Sequence, residues 1–180
     1  HIMVPKQGVA LHINSFNFPV WGMLEKIAVN LLAGVPAVVK PSEYTSFLTE
    51  AVVRDIIESR ILPEGALQLV SGKGIGILDS VQRGDTVTFT GSAKTGLSLK
   101  SSAHYLERGV PFNLEADSLN AMVMGEDVKP ESPEFKIFIK EVCREITVKA
   151  GQKCTAVRRI LAQKESIEAV GEAIKNRLAT

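Results

Sequence analysis

The stretch KAGQKCTAVRR, residues 149–159, sets a cysteine in a short polar turn between a helix-like and a strand-like segment. The thiolate is the reactive form of cysteine, and nearby cations favour it. Lys149, Lys153, Arg158 and Arg159 flank Cys154 in sequence, although closeness in sequence does not aim a side chain at sulfur. Either Cys154 is a nucleophile or it is a bystander in a loop. The other cysteine, Cys143, falls inside the helical pattern FIKEVCREI and reads as a packing residue. A nucleophile needs a base and a site for developing negative charge. Glu115, in FNLEADS, comes directly after an apolar strand, where a carboxylate serves as general base or is simply solvated. Asn17, in NSFNFP, lies between two aromatics and before Pro19. Its amide suits an oxyanion donor or a cap for the next helix. His12 in a strand and His104 in a helix leave a Cys–His hydrolase open without favouring it.

Other groups suit a phosphate-bearing ligand. VVKPSE, residues 38–43, ends a strand at Lys40, and ligands of open parallel sheets bind outside the carboxyl ends of strands. GKG, residues 72–74, and FTGS, residues 89–92, come after the next two strands. Their glycines permit close backbone approach, and Ser92 is placed to cap a helix whose N-terminus attracts anions. None of this spells the GxGxxG dinucleotide fingerprint, so each loop alone is weak evidence.

The elements that must position these groups alternate. Residues 8–14 read as a strand and residues 18–34 as a helix ending at Gly34. A strand over 36–42 is stopped by Pro41, and an amphipathic helix over 45–60 takes Thr45 as N-cap. Strands over 66–72 and 86–91 flank a short helix at 74–81, and residues 92–104 read as helical. This is the βαβ rhythm of an α/β protein with a mostly parallel sheet covered on both faces. The rhythm breaks near residues 110–115, giving a domain over 4–112 and the beginning of a second over 113–180. The second has a strand, a long helix at 133–149, a loop, a strand and a helix, too little to close a core alone.

Composition narrows the class. Hydrophobic residues make up 45% and charged residues 23%, with a net charge of +1, so no field draws nucleic acid or an anionic membrane. No apolar run approaches the roughly 20 residues of a bilayer span. Two cysteines form no disulfide framework, no His/Cys cluster has metal-ligand spacing, and a cytoplasmic protein with reduced thiols is expected. HIM at residues 1–3 reads as a cloning remnant.

Taken in order, Asn-Phe-Pro at 17–19, Lys-Pro-Ser-Glu at 40–43, Phe-Thr-Gly-Ser at 89–92, Glu115 and Gly-Gln-Lys-Cys-Thr at 151–155 resemble the aldehyde dehydrogenase superfamily. The likeness runs from Gly8 to at least Leu161, and FTGS with GQKCTA is its most specific part. It implies a Rossmann-like cofactor-binding domain and then the start of a catalytic α/β domain. It also implies Cys154 as nucleophile, Glu115 as general base, and Asn17 with the Cys154 backbone N–H as oxyanion donors. The cofactor implied is NAD or NADP. Ile13, Asn14, Ser15 and Phe16 would line its nicotinamide side, and Lys40 and Glu43 would face its adenosine ribose. Gly91 and Ser92 would lie near the pyrophosphate, with Ser42, Gly72, Phe89, Thr90 and Ala116 as further cofactor contacts.

Ser15-Phe16 replaces the usual Pro-Trp, EADSLN replaces Glu-Leu-Gly-Gly, and the base and nucleophile stand a few positions further apart than is usual in the family. With REITVKAGQKCTAVRR, these features look most like the branch that oxidises CoA-linked semialdehydes from aerobic phenylacetate or benzoate degradation. In the phenylacetate case a hydratase-like, ring-opening domain is fused at the C-terminus. That branch favours NADP, whereas Glu43 favours NAD, because a carboxylate accepts from a free 2′-hydroxyl and repels a 2′-phosphate. The resemblance makes the chain a piece of a longer, homo-oligomeric enzyme acting on a small aldehyde, a CoA thioester among the candidates. The alternatives are a non-catalytic nucleotide-binding module and a CoA-acylating member of the same superfamily.

Overall fold

The structure is a computed structural model describing residue 2, residues 4–74 and residues 76–179. His1 and Met3 of the expected remnant, and Ile75 of the expected helix at 74–81, lie outside these residues, as does the side chain of His104. The chain divides into two compact units, His1–Ala116 and Asp117–Thr180.

In the first unit the strands are β1 (Ala10–Ile13), β2 (Ala37–Lys40), β3 (Leu67–Leu69), β4 (Thr86–Gly91) and β5 (Phe112–Ala116). They form one parallel sheet in the order β3-β2-β1-β4-β5. Helices α1 (Trp21–Leu32), α2 (Ser46–Ser59), α3 (Ala93–Lys100) and α4 (Ala103–Arg108) connect them. Because side chains alternate along a strand, β2 feeds two cores. Ala37 and Val39 meet Met23, Ile27 and Val53 of α1 and α2, whereas Val38 joins Leu11, Val87 and Tyr105 on the opposite face. Met23 and Val39 are fully buried, worth about 1.5–3 kcal/mol each.

Several element bounds differ from the sequence expectation. Helix α1 begins at Trp21, not Phe18, since a residue before proline is kept out of the helical region. It ends through Ala33 with Gly34 at φ 75°, the left-handed position glycine takes after a helix. The single helix expected over 92–104 is two, broken where Ser102 is extended (φ −64°, ψ 136°), serine being a poor helix-interior residue that favours caps. The expected short helix is a 3-10 turn at Ile77–Ser80. Strand β5 is the fifth strand of the large sheet, so the first unit extends past the expected 112/113 boundary and contains Glu115.

His12 is buried in the middle of β1. Its Nε2 lies 2.7 Å from Asn30 Oδ1 and its Nδ1 lies 2.8 Å from Thr88 Oγ1. Asn30 donates its NH2 to the Val35 carbonyl at 2.6 Å, so Nε2–H donates to Asn30 and Nδ1 accepts from Thr88. Burial, together with the charge of Lys26, lowers the imidazole pKa, while the Asn30 bond opposes the shift. With both nitrogens committed, this histidine is a cross-brace between strand and helix, not a base for a thiol.

The second unit pairs two short parallel strands, β6 (Ala121–Val123) and β7 (Arg159–Leu161), under α5 (Pro133–Thr147) and α6 (Ile167–Leu178). Its core joins Met124, Phe135, Ile139, Cys143 and Val170. Helix α5 starts with Ser132 accepting from Phe135 N–H at 3.2 Å and with proline in its first turn. It stops at Thr147, short of the expected 149, because Lys149 and Ala150 adopt left-handed φ of 56° and 55°. No helix among the described residues is long and apolar enough to cross a membrane.

Candidate functional site

In a parallel sheet ordered β3-β2-β1-β4-β5, the chain leaves β1 toward one edge and β4 toward the other. The crevice outside the carboxyl ends of such a strand pair is where open α/β sheets bind ligands. At the end of β1, the Asn14 N–H donates to the Lys40 carbonyl at 3.0 Å. The Asn14 side chain is 5% exposed, and neither its Nδ2 nor its Oδ1 has a hydrogen-bond partner. A buried amide left unpaired costs roughly 1–3 kcal/mol.

The loop after β1 is held from two sides. Thr45 donates its hydroxyl to the Phe16 carbonyl at 2.9 Å, and Thr49 donates to the Pro19 carbonyl at 3.1 Å. Thr45 occupies the N-cap position of α2 but makes no side-chain capping bond; its hydroxyl holds the loop instead. Ser15 donates to Asn17 Oδ1 at 2.7 Å, leaving NH2 as the donor end of that amide. Phe16 is exposed.

At the end of β2, Lys40 is half-buried and its stem lies against Gly74, where an added Cβ would be 2.8 Å from Lys40 Cε. Ser42 is half-buried, Glu43 is exposed, and Gly72 stands in open space at φ 98°. At the end of β4, Phe89 is buried and Gly91 sits over its ring, since a Cβ there would be 2.7 Å from Cζ. Ser92 Oγ accepts from Thr95 N–H at 3.2 Å and caps α3. Thr90 and Gly91 register with Glu115 and Ala116 of β5, and Thr90 donates to Glu115 Oε2 at 3.4 Å. The first unit therefore carries Ile13, Asn14, Lys40, Thr90, Gly91 and the exposed Glu115 along one sheet end.

In the second unit Cys154 is exposed, whereas Cys143 is buried. The cations that flank Cys154 in sequence have other duties. Lys153 pairs with Glu145 at 2.5 Å, and this hydrogen bond holds the Glu145 carboxyl below the usual carboxylate range. Arg158 donates to the Gly151 carbonyl at 3.0 Å, and Arg159 to the Leu119 carbonyl at 3.3 Å. These bonds fasten the turn. Cys154 is exposed, and its N–H makes no hydrogen bond among the described residues. Sequence reading missed Asn120, which donates to the Cys154 carbonyl. Its only signal there was a polar residue just before an apolar run in EADSLNAMV.

Comparison with known proteins identifies the family. The chain is 46% identical over 179 residues to the 3,4-dehydroadipyl-CoA semialdehyde dehydrogenase of Aromatoleum evansii, covering 99% of this chain and 35% of that protein. It is 31% identical over 173 residues to the alpha-ketoglutaric semialdehyde dehydrogenase of Bacillus subtilis, covering 94% and 34%. The crystal structure of betaine aldehyde dehydrogenase from Staphylococcus aureus in complex with NAD+ superposes with a TM-score of 0.84 at 27% identity, covering 96% of this chain and 33% of that one. The chain thus spans about a third of the length of the relatives it matches. The model of the aldehyde dehydrogenase family matches residues 2–180, and the chain belongs to that family.

Proposed function

We propose that this chain is a segment of an NAD(P)-dependent aldehyde dehydrogenase that oxidises an aldehyde to its acid through a thioester on Cys154. The contrast between the two thiols carries the reading: one is buried in the core, the other exposed on a turn fastened by its neighbours. The first unit fits a dinucleotide at the β1/β4 crevice. The unpaired Asn14 amide and the capped start of α3 supply polar groups there. Residues 13–16, Lys40, Ser42, Glu43, Gly72, residues 89–92 and Ala116 would hold it. When bound, it supplies a nicotinamide that accepts hydride.

The chain's own groups divide the oxidation into easier steps. The Cys154 thiolate adds to the aldehyde carbon, and the oxygen that becomes negative receives hydrogen bonds from Asn17 and the Cys154 N–H. Loss of hydride from that carbon leaves an acyl thioester. Glu115 takes a proton from water, which attacks the thioester and expels the thiolate with the acid.

The similarity to a CoA-linked semialdehyde dehydrogenase supports a CoA-linked semialdehyde from aromatic degradation, of the phenylacetate or benzoate type, as substrate. A cytoplasmic compartment and a homo-oligomeric whole enzyme belong to the same proposal. Iodoacetamide near neutral pH tests it: Cys154 should alkylate well ahead of Cys143 and be protected by NAD(P) or an aldehyde. Equal, slow and unprotected alkylation would instead indicate a nucleotide-binding module. Free acid as product separates hydrolysis from CoA acylation, and the presence of Glu115 favours hydrolysis.

A further inference from the structure

Asn120 immediately precedes β6, and the register that pairs Ala121 with Arg159 lays it beside the segment carrying Cys154. Its backbone carbonyl accepts from the N–H groups of Arg158 at 2.8 Å and Arg159 at 3.1 Å. Its side-chain NH2 donates to the Cys154 carbonyl and, at 3.4 Å, to the Ala156 carbonyl. One residue therefore brackets the chain from position 154 to position 159. We propose that Asn120 is a positioning residue for the nucleophilic turn, holding the Cys154 peptide so that thiol and N–H face substrate together. The inference rests on reading Cys154 as the nucleophile.

Capture of the Cys154 carbonyl orients the peptide plane between residues 154 and 155, and so restricts rotation on the carbonyl side of Cys154. On the other side, the Lys153–Glu145 pair and the Arg158 bond to the Gly151 carbonyl hold residues 151–153. Ala156 and Val157 are buried and give the far end of the bracket a fixed seat. Cys154 thus stands between two anchors with its N–H unspent among the described residues. A donor for two carbonyls at this reach calls for a short side chain ending in NH2. Aspartate has the same shape but presents lone pairs to the carbonyls, and serine is too short. An oxyanion donor works only when aimed before the charge develops. The Cys154 N–H lies in the preceding peptide, between 153 and 154, so Asn120 aims it jointly with the bonds that hold residues 151–153.

The test uses the 180-residue chain with Asn120→Asp and Asn120→Ala, read by peptide-resolved alkylation and amide exchange. Both variants should displace the alkylation–pH profile of Cys154 and speed exchange over 152–157 by about fivefold, the loss expected for one hydrogen bond. Cys143 should stay protected, showing that the core of the unit is intact. Because a carboxylic acid is a donor again, the exchange rate of Asn120→Asp relative to the parent chain at the same pH should fall back toward one as the pH falls through about 4. An unchanged Cys154 profile and exchange rate in Asn120→Asp overturns the proposal. So does deprotection of both cysteines in Asn120→Asp, which marks Asn120 as merely structural. Failure of the underlying reading looks different: Cys154 of the parent chain is then neither selectively alkylated nor protected by NAD(P) or aldehyde.

Discussion

At the scale of single residues, chemistry in this chain depends on what each polar group is left to do after folding. The Cys143 thiol packs among Phe135, Ile139 and Val170, while the Cys154 thiol meets solvent. In a catalytically complete enzyme carrying this segment, Cys154→Ala should abolish aldehyde oxidation. Glu115→Gln should give one burst of NAD(P)H and then stall, because hydride leaves before the thioester needs water. Stopped-flow absorbance distinguishes the two, and steady turnover in Glu115→Gln would remove the carboxylate from the mechanism. His12 carries a prediction about pH. Its folded-state pKa lies below the ordinary 6.5, so the unfolded chain takes up a proton first as the pH falls. Stability should be flat above about 6.5 and decline below it until the folded-state imidazole also protonates. Urea midpoints measured between about pH 7.5 and 5.5 should show this decline, and His12→Gln should flatten it.

At the scale of elements, each strand end acts through the turn or helix joined to it. Ser92 follows β4 directly and caps α3, so its hydroxyl fixes the helix start proposed for the pyrophosphate. Ser92→Ala should cost about 1 kcal/mol of unfolding free energy. It should also raise KM for the cofactor more than it lowers kcat, which denaturant titration and initial rates would show. Equal effects on KM and kcat would separate the cap from the cofactor. The two threonines at the start of α2 show why element identity alone misplaces function: Thr45 and Thr49 spend their hydroxyls on the loop carrying Asn17, not on their own helix.

At the scale of the whole molecule, the second unit has a sheet of only two parallel strands, with Val123 at 66% and Leu161 at 51% exposure. Two strands leave unpaired edges and apolar surface, a combination that drives association. The isolated 180-residue chain should therefore self-associate with rising concentration. Size-exclusion chromatography with light scattering would show this, and a monomer unchanged up to high concentration would contradict it.

By itself, the sequence determined the kinds of group available and the order of their elements. Proline and glycine punctuate strand ends through φ restrictions that act locally, so Lys40, Gly91 and Ser92 were legible as strand-end groups. Helical spacing likewise set Cys143 inside a helix and left Cys154 in a turn. Only the tertiary structure decided which strands are neighbours. It set β1 against β4, gave His12 a partner 76 residues away, left Asn14 without one, and put Asn120 on the Cys154 carbonyl. Those pairings are chosen by the packing of the whole sheet and core, a long-range balance that no local propensity encodes.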